Sequence, residues 1–273
     1  MIEDLAKLLG GHPFETALLM TLMLLLVIFS AYRLLTSIWP RLESWQAPKV
    51  LQPVLKRLLT ASGLALLGLF LASSAFLHLA DWVTEGEWVD DWDLAFVHAA
   101  HHQASPFEVH FFRVVTFLAG REMSYLLGFG VGLFFLFTKH KRALTLWVVG
   151  LLGNGLLVQV LKMIYQRERP QFDQPLLTES NFSFPSGHAA ASILIYGLLA
   201  YLLRSRLRER WMALSTVLVS VGCFVGTSRL VLGVHYPSDV AAGWATGMAW
   251  LATLVMIDQW SASRARRDSA PHP

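Results

Sequence analysis

Seven long apolar runs constrain the fold of this chain more than any other feature of its sequence. A helix needs about 20 mostly apolar residues to cross a bilayer, with about 17 as the lower limit. The runs that reach or approach this length are Phe14–Trp39, Leu58–Ala80, Glu122–Thr138, Ala143–Met163, His188–Leu203, Trp211–Val231 and Pro237–Ile257. We therefore expect an all-α fold, a polytopic membrane helical bundle in which the third and fifth helices extend into their flanking residues.

The composition agrees with a membrane protein rather than a soluble one. Only 15% of the residues are charged, against about 25% in an ordinary soluble domain. The segment before the first run contains Glu3 and Asp4 and is not a positive leader, so we expect that run to be a retained helix. The sequence predicts an N-terminal membrane helix and cytoplasmic loop at 1–57, the main membrane domain at 58–260 and a disordered polar tail at 261–273.

Basic residues orient the predicted spans. When the connections are taken in alternation, 15 of the 22 basic residues fall on one side. The positive-inside rule makes that side cytoplasmic, with the N-terminus outside and the C-terminus inside. On the outer side we expect Asp81–Asp93 to be a solvated acidic loop. The following segment, Leu94–Gly120, is predicted to be helix lying in the interface with a break at Pro106.

The first of three polar clusters at outer helix ends is formed by Lys162, Arg169 and Pro170. Pro170 disfavours helix at Arg169 and marks the turn away from the fourth span. The ammonium of Lys162 and the forked guanidinium of Arg169 can then converge on one anion. The alternative is that both side chains extend to lipid head groups at the interface.

The second cluster, Pro185-Ser186-Gly187-His188, directly precedes the fifth span. Ser186 suits the N-cap position, and Gly187 permits close approach of a ligand to the backbone. The free N–H groups of the first turn form an anion site, and His188 can give or take a proton there. The alternative is a plain serine cap beside an interfacial histidine.

The third cluster runs from Ser228-Arg229 to His235 and Asp239. Pro237 suits the first position of the seventh span, so Asp239 falls in its first turn and can reach back along the chain. Asp239 can thereby hold one ring nitrogen of His235 and leave the other free as a nucleophile. The alternative is a capping interaction without chemistry.

The three clusters together carry a family resemblance. Lys-x6-Arg-Pro, Pro-Ser-Gly-His and Ser-Arg-x5-His-x3-Asp occur in this order between Lys162 and Asp239. This pattern resembles the tripartite signature of the type-2 phosphatidic acid phosphatase superfamily, with every signature position filled. The resemblance extends over Leu58–Ile257 and implies a six-helix phosphatase core, with Phe14–Trp39 as an additional leading helix.

The resemblance implies a lipid phosphatase of a plasma membrane, the inner membrane in bacteria, with its site at the outer face. His235 would attack phosphorus, Asp239 would orient it and His188 would protonate the leaving oxygen. The implied phosphate-binding groups are Lys162, Arg169, Ser186, Gly187 and Arg229. No metal and no cofactor are expected, and the partners are a lipid phosphate and the bilayer, not nucleic acid.

The substrate and some alternatives stay open at this point. Undecaprenyl diphosphate is the first choice, followed by phosphatidylglycerophosphate and phosphatidate. A lipid-to-lipid phosphotransferase would use the same phosphohistidine, and a non-enzymatic lipid translocator would use the basic cluster to dock head groups. A haloperoxidase has a similar site, but known members of that branch are soluble.

Some residues outside the signature also suggest roles. Arg167 is interpreted as a head-group or interface residue. The histidines His98, His101 and His102 have the spacing of one helix face, and a solvated face is favoured over a zinc site. Gly243 and Gly247 form a GxxxG pair in the last span, which predicts close helix packing.

Overall fold

A computed structural model of the chain describes residues 2–23, 25–26, 61–207 and 210–268. No strand occurs in this described part, which confirms the all-α prediction. In chain order the helices are α1 (Ile2–Gly11), α2 (Pro13–Met23), α3 (Ala61–Glu85), α4 (Glu87–Gln103), α5 (Pro106–Phe117), α6 (Arg121–Phe137), α7 (Lys141–Tyr165), α8 (Gly187–Leu207), α9 (Trp211–Val231) and α10 (Pro237–Asp268).

Within the described residues, five helices are long and apolar enough to cross a membrane, namely α3, α7, α8, α9 and α10. α8 is longer than the run His188–Leu203, as expected, because its last turn continues through the basic residues that follow. α6 has 17 residues and does not extend as predicted, so it lies at the lower limit for a span. The first predicted span, Phe14–Trp39, lies largely outside the described residues.

The centre of the bundle is α8, which packs against α7, α9 and α10. The largest apolar cluster joins α7, α8 and α10 through Trp147, Leu194 and Leu254, which are almost fully buried. α10 also packs along α3. The start of α8 is therefore held from several sides, close to the ends of α7, α9 and α10 that carry the polar clusters.

Gly243 and Gly247 bring α10 into close contact with α8, as the GxxxG pair predicts. A Cβ atom at Gly243 would lie 2.4 Å from the carbonyl oxygen of Ser186, and one at Gly247 would lie 2.5 Å from that of Ala190. Neither distance is compatible with a side chain, so the glycines set the separation of the two helices. This contact presses α10 against the first turns of α8.

We expect Gly247→Ala to destabilise the folded protein by roughly 1–3 kcal/mol, because the added methyl forces α10 away from α8. The measurement is thermal unfolding of the purified protein in detergent. Gly68→Ala in α3 is the matched control, since a Cβ there meets nothing within 4 Å. Equal melting temperatures for the Gly247→Ala and Gly68→Ala proteins would contradict the close contact.

The predicted loop at Asp81–Asp93 is instead helical apart from Gly86, so that prediction is wrong. A run of acidic residues indicated a solvated loop, but these residues lie on both faces of α4. Asp90 is exposed, whereas Asp93 is completely buried. The helix break predicted at Pro106 is confirmed. α5 begins there, with Ser105 and Glu108 forming a capping box.

Both ends of the described chain contain more helix than the sequence suggested. α1 was not predicted, and it packs on α4 through Ala6 and Gly10, two small residues on one face. At the other end α10 continues to Asp268. The described part of the predicted disordered tail, residues 261–268, is thus helical in the structure, and no proline or glycine interrupts that stretch. Residues 269–273 lie outside the described part.

Candidate active site

The three polar clusters meet at one end of the bundle around a cavity of about 440 Å³. We call this space the anion cavity. Of the predicted site residues, those that line it are Lys162, Arg169, Gly187, His188, Arg229 and His235. Asp239 lies behind His235, and Ser186 is buried at the start of α8. Residues from the ends of α7, α8, α9 and α10 are thus brought together, as the sequence predicts.

His235 and Asp239 form the pair that the spacing predicts. Nδ1 of His235 lies 3.2 Å from Oδ2 of Asp239. The same oxygen accepts a hydrogen bond of 2.9 Å from the backbone N–H of Tyr236, which is the expected reach back across the start of α10. Both side chains are almost completely buried, so the imidazole has a fixed orientation.

The other ring nitrogen of His235 faces a cation. Nε2 lies 3.1 Å from Nη1 of Arg169. A guanidinium can only donate, so Nε2 accepts and the proton of the neutral ring lies on Nδ1, towards Asp239. Burial holds the pKa of His235 well below its usual range, although the hydrogen bond and charge of Asp239 oppose this shift. The lone pair of Nε2 therefore lies on the side of Arg169, which lines the anion cavity.

The segment 181–183 fixes the two cations of the first cluster. Arg169 donates to the carbonyl oxygens of Asn181 at 2.7 Å and Phe182 at 3.2 Å. Nζ of Lys162 donates to the carbonyl oxygens of Phe182 and, at 3.3 Å, Ser183. Lys162 and Arg169 thus converge on the same space, as predicted, because one stretch of backbone binds both.

Arg229 is buried in the wall of the anion cavity, with 1% of its side chain exposed. It donates to Oγ1 of Thr116 at 2.7 Å and to Oε1 of Glu179 at 2.6 Å. Within the described part of the chain, its Nε has no hydrogen-bond partner. A buried donor without a partner is costly, which marks this side of the cavity as a place for an anionic ligand.

Ser186 stands at the N-cap position of α8, but its hydroxyl does not make the expected capping bond. Its Oγ is buried and has no partner among the described residues. Its backbone N–H donates to the carbonyl oxygen of Asp239 at 2.9 Å, which connects the second cluster to the third. The free hydroxyl and the first turn of α8 therefore remain able to bind phosphoryl oxygens.

His188 lies between the anion cavity and a larger apolar groove of about 700 Å³ that is lined by α6, α7 and α8. The groove is lined by residues such as Phe129, Leu133 and Leu151. Arg121, Gly187 and His188 line both spaces. A molecule with an anionic head and an apolar chain can therefore occupy the two spaces at once.

Arg167, which lies outside the three sequence motifs, is part of the site. Its Nη1 donates to Oδ1 of Asp239 at 2.9 Å, and its Nη2 donates to Asp90 and to Asp93 at the same distance. The side chain is 12% exposed, so the interpretation as a head-group residue is wrong. Burial raises the pKa of Asp93 to about 6, opposed by the charge of Arg167 and by hydrogen bonds from Ser238.

Other residues of the site gave no signal in the sequence. Glu179, Asn181 and Ser183 belong to the loop between α7 and α8, where no helical spacing relates them to the motifs. Ser183 donates its hydroxyl to Oδ2 of Asp239. Pro170 was a usable signal for the loop as a whole, because it predicted that the chain turns there.

The histidine cluster on α4 contacts this same loop. The ring of His101 stacks on that of Phe172 with centroids 3.8 Å apart, and its Nε2 lies 3.2 Å from the carbonyl oxygen of Gln174. His98 and His102 also lie against Phe172. Within the described ranges no set of potential ligands has a metal-binding arrangement. The cluster therefore helps to dock the loop that carries Arg169.

Comparison with known proteins identifies the family. The family model of the PAP2 superfamily matches residues 143–263. A probable lipid phosphate phosphatase beta from Arabidopsis thaliana is 31% identical over 176 residues, which cover 55% of this chain and 81% of the relative. Phosphatidylglycerophosphatase B from Bacillus subtilis is 38% identical over 122 residues. That match covers 44% of this chain and 59% of the relative, less than two thirds of its length.

A solved structure shows the same fold. The crystal structure of a transmembrane PAP2-type phosphatidylglycerolphosphate phosphatase from Bacillus subtilis superposes with a TM-score of 0.62 at 29% identity. The superposition covers 71% of this chain and 96% of that structure. The motifs, the helical bundle and these similarities agree with one another: the chain is a multi-pass membrane protein that belongs to the PAP2 superfamily.

Proposed function

We propose that this protein hydrolyses a lipid phosphate or diphosphate through a phosphohistidine intermediate on His235. One observation carries the proposal: His235 lines a cavity together with Lys162, Arg169 and Arg229, and that cavity shares His188 with an adjacent apolar groove. The cationic cavity suits the phosphoryl oxygens, and the groove suits a hydrocarbon chain. Phosphoryl transfer depends mainly on positioning and on stabilising anionic oxygens, which such a cavity provides.

In the first step, the lone pair of Nε2 attacks the terminal phosphorus and the bond to the leaving oxygen breaks. His188 gives a proton to that oxygen. Asp239 stabilises the positive charge that develops on the ring through the proton on Nδ1. In the second step, His188 takes a proton from water, whose oxygen attacks phosphorus and releases His235 and inorganic phosphate.

A lipid is the substrate class that uses both spaces. A water-soluble monoester would occupy the anion cavity and leave the groove, of about 700 Å³, without a ligand. A lipid gains the apolar contacts as well, and these also set the depth of its head group at His188. We therefore expect lipid phosphates to be hydrolysed with a much higher kcat/KM than soluble monoesters.

Within this class we propose undecaprenyl diphosphate, because the anion cavity has more cations than a single phosphate needs. Its lining contains five cationic side chains and two carboxylates. They are Arg113, Arg121, Lys162, Arg169 and Arg229, with Glu122 and Glu179. Arg167 does not contribute, since it is bound behind Asp239. Phosphatidylglycerophosphate is the second candidate, favoured by the similarity to phosphatidylglycerophosphatase B and to the solved phosphatase structure, both from Bacillus subtilis.

The test is phosphate release by the purified protein in one detergent, without added metal and with a chelator. We expect activity to persist in the chelator, because fixed cations take the place of a metal. Undecaprenyl diphosphate should exceed phosphatidylglycerophosphate, phosphatidate and a soluble aryl phosphate in kcat/KM. A tenfold advantage of either glycerolipid would reverse the order of the two candidates, and no release from any lipid would contradict the function.

The proposal includes an orientation with the anion cavity at the outer face, based on the distribution of basic residues. A cysteine at Gln174, near the cavity, should react with an impermeant thiol reagent in intact cells. A cysteine at Lys139, at the other end of the bundle, should not. Both positions are exposed, so the opposite labelling pattern would overturn the orientation.

A further inference from the structure

Arg167 joins the acid of the proposed catalytic pair to a second buried acid on another helix. Its Nη1 donates to Oδ1 of Asp239, and its Nη2 donates to Oδ2 of Asp93, both at 2.9 Å. Its guanidinium also lies 4.3 Å from the ring centroid of Tyr236. Contacts on both edges and on one face leave this guanidinium a single orientation.

Asp93 is the fixed end of this connection. Its side chain is completely buried, at 0% exposed. Oδ1 accepts a 3.1 Å hydrogen bond from the backbone N–H of Ser238, and Oδ2 accepts from the Ser238 hydroxyl and from Arg167. Asp93 on α4 therefore binds the first turn of α10, the turn from which Asp239 projects.

The two oxygens of Asp239 have different partners. Oδ2 receives Nδ1–H of His235, the N–H of Tyr236 and the hydroxyl of Ser183. Oδ1 receives Arg167. Rotation of the carboxylate would break contacts on both oxygens, so Arg167 and its anchor determine which oxygen faces the imidazole.

We propose that Asp93 is a positioning residue which, through Arg167, fixes the carboxylate of Asp239 and so aims Nε2 of His235 into the anion cavity. This inference rests on the proposed function. Asp93 touches neither His235 nor the cavity lining, so its contribution is to orientation. A loss of this contact therefore acts on the chemical step and leaves substrate binding largely intact.

The structure provides a matched control for Asp93. Asp90 lies one turn away on α4, and its Oδ1 is also 2.9 Å from Nη2 of Arg167. Its side chain is 57% exposed, whereas that of Asp93 is buried. We expect Asp93→Asn to lower kcat about tenfold with KM within about twofold of the wild type. Asp90→Asn should leave both constants within about twofold, because exposed ion pairs contribute little.

A double-mutant cycle separates positioning from general damage to the fold. If Asp93 acts through Asp239, Asp93→Asn should not lower kcat further in an Asp239→Asn protein. The losses of kcat from the two substitutions should therefore not add. If the Asp93→Asn protein melts below the assay temperature, Arg167→Lys provides the same test. A single ammonium group cannot replace the guanidinium, whose two terminal nitrogens bind Asp93 and Asp239. Its loss of kcat should likewise disappear in the Asp239→Asn background.

The possible outcomes distinguish this inference from the function on which it rests. A wild-type protein that releases no phosphate from any lipid, or an Asp239→Asn protein with full activity, would overturn the proposed function and this inference with it. With wild-type activity present and Asp239→Asn impaired, an unchanged kcat for Asp93→Asn would overturn the positioning role alone. Additive losses in the cycle would do the same.

Discussion

Replacing His235 by alanine is expected to abolish turnover, lowering kcat by at least about 10⁴-fold. The substitution removes the nitrogen that faces the anion cavity and leaves Lys162, Arg169 and Arg229 in its lining. Binding of inorganic phosphate, measured as a shift of the melting temperature, should therefore persist. The loss of activity is checked by phosphate release from the preferred lipid.

The control for this substitution is His110→Ala. His110 is an exposed histidine on α5 and does not line the anion cavity. Its replacement should leave kcat within about twofold of the wild type, as expected for a surface position. A folded His235→Ala protein that releases phosphate at a near-normal rate would contradict the nucleophilic role.

Asp239→Asn is expected to lower kcat by about 10³- to 10⁴-fold, by analogy with an aspartate that orients a catalytic histidine. Asparagine keeps the shape of the side chain but loses the charge that stabilises the phosphorylated imidazolium. Its amide can also donate to Nδ1 of His235, which favours the tautomer with the proton on Nε2 and removes the lone pair from the cavity. The measurement is kcat in the same lipid assay, with KM as a check on binding.

Asp258→Asn provides the matched control on the same helix. Asp258 is also a buried acid of α10, 6% exposed, and it binds Arg142 and Tyr201 at the other end of the bundle. Its replacement should lower thermal stability and leave kcat of the folded protein within a few-fold. If Asp258→Asn and Asp239→Asn lower kcat equally, the effect of Asp239 is on the fold and not on His235.

The parts of the site that could be predicted are those fixed by short-range geometry. Pro237 starts a helix and Asp239 falls in its first turn, so a contact back to Tyr236 and His235 follows from the sequence alone. The convergence of Lys162 with Arg169 also follows from one helix end and one turn. The spans follow from apolar length, which is why the all-α membrane bundle was predicted correctly.

The parts that could not be predicted depend on contacts between distant segments. Asp93 and Ser238 are separated by 145 positions in the chain, and no periodicity relates them. Because Asp93 is buried, the acidic stretch that was predicted to be solvated contributes a residue to the site. Arg167, which was predicted to lie at the interface, binds the two buried acids Asp93 and Asp239. Glu179 was missed for the same reason, because it lies in the loop between α7 and α8 and its partner Arg229 lies on α9.

The most direct test of the account is to identify the atom that receives the phosphoryl group. The protein is mixed with a lipid diphosphate that carries labelled terminal phosphorus, quenched within milliseconds in alkali, digested and examined by mass spectrometry and ³¹P NMR. The account predicts acid-labile phosphate on Nε2 of His235, because Nδ1 is directed to Asp239. Phosphate on His188 or on Nδ1, or full release of phosphate without any labelled histidine, would contradict it.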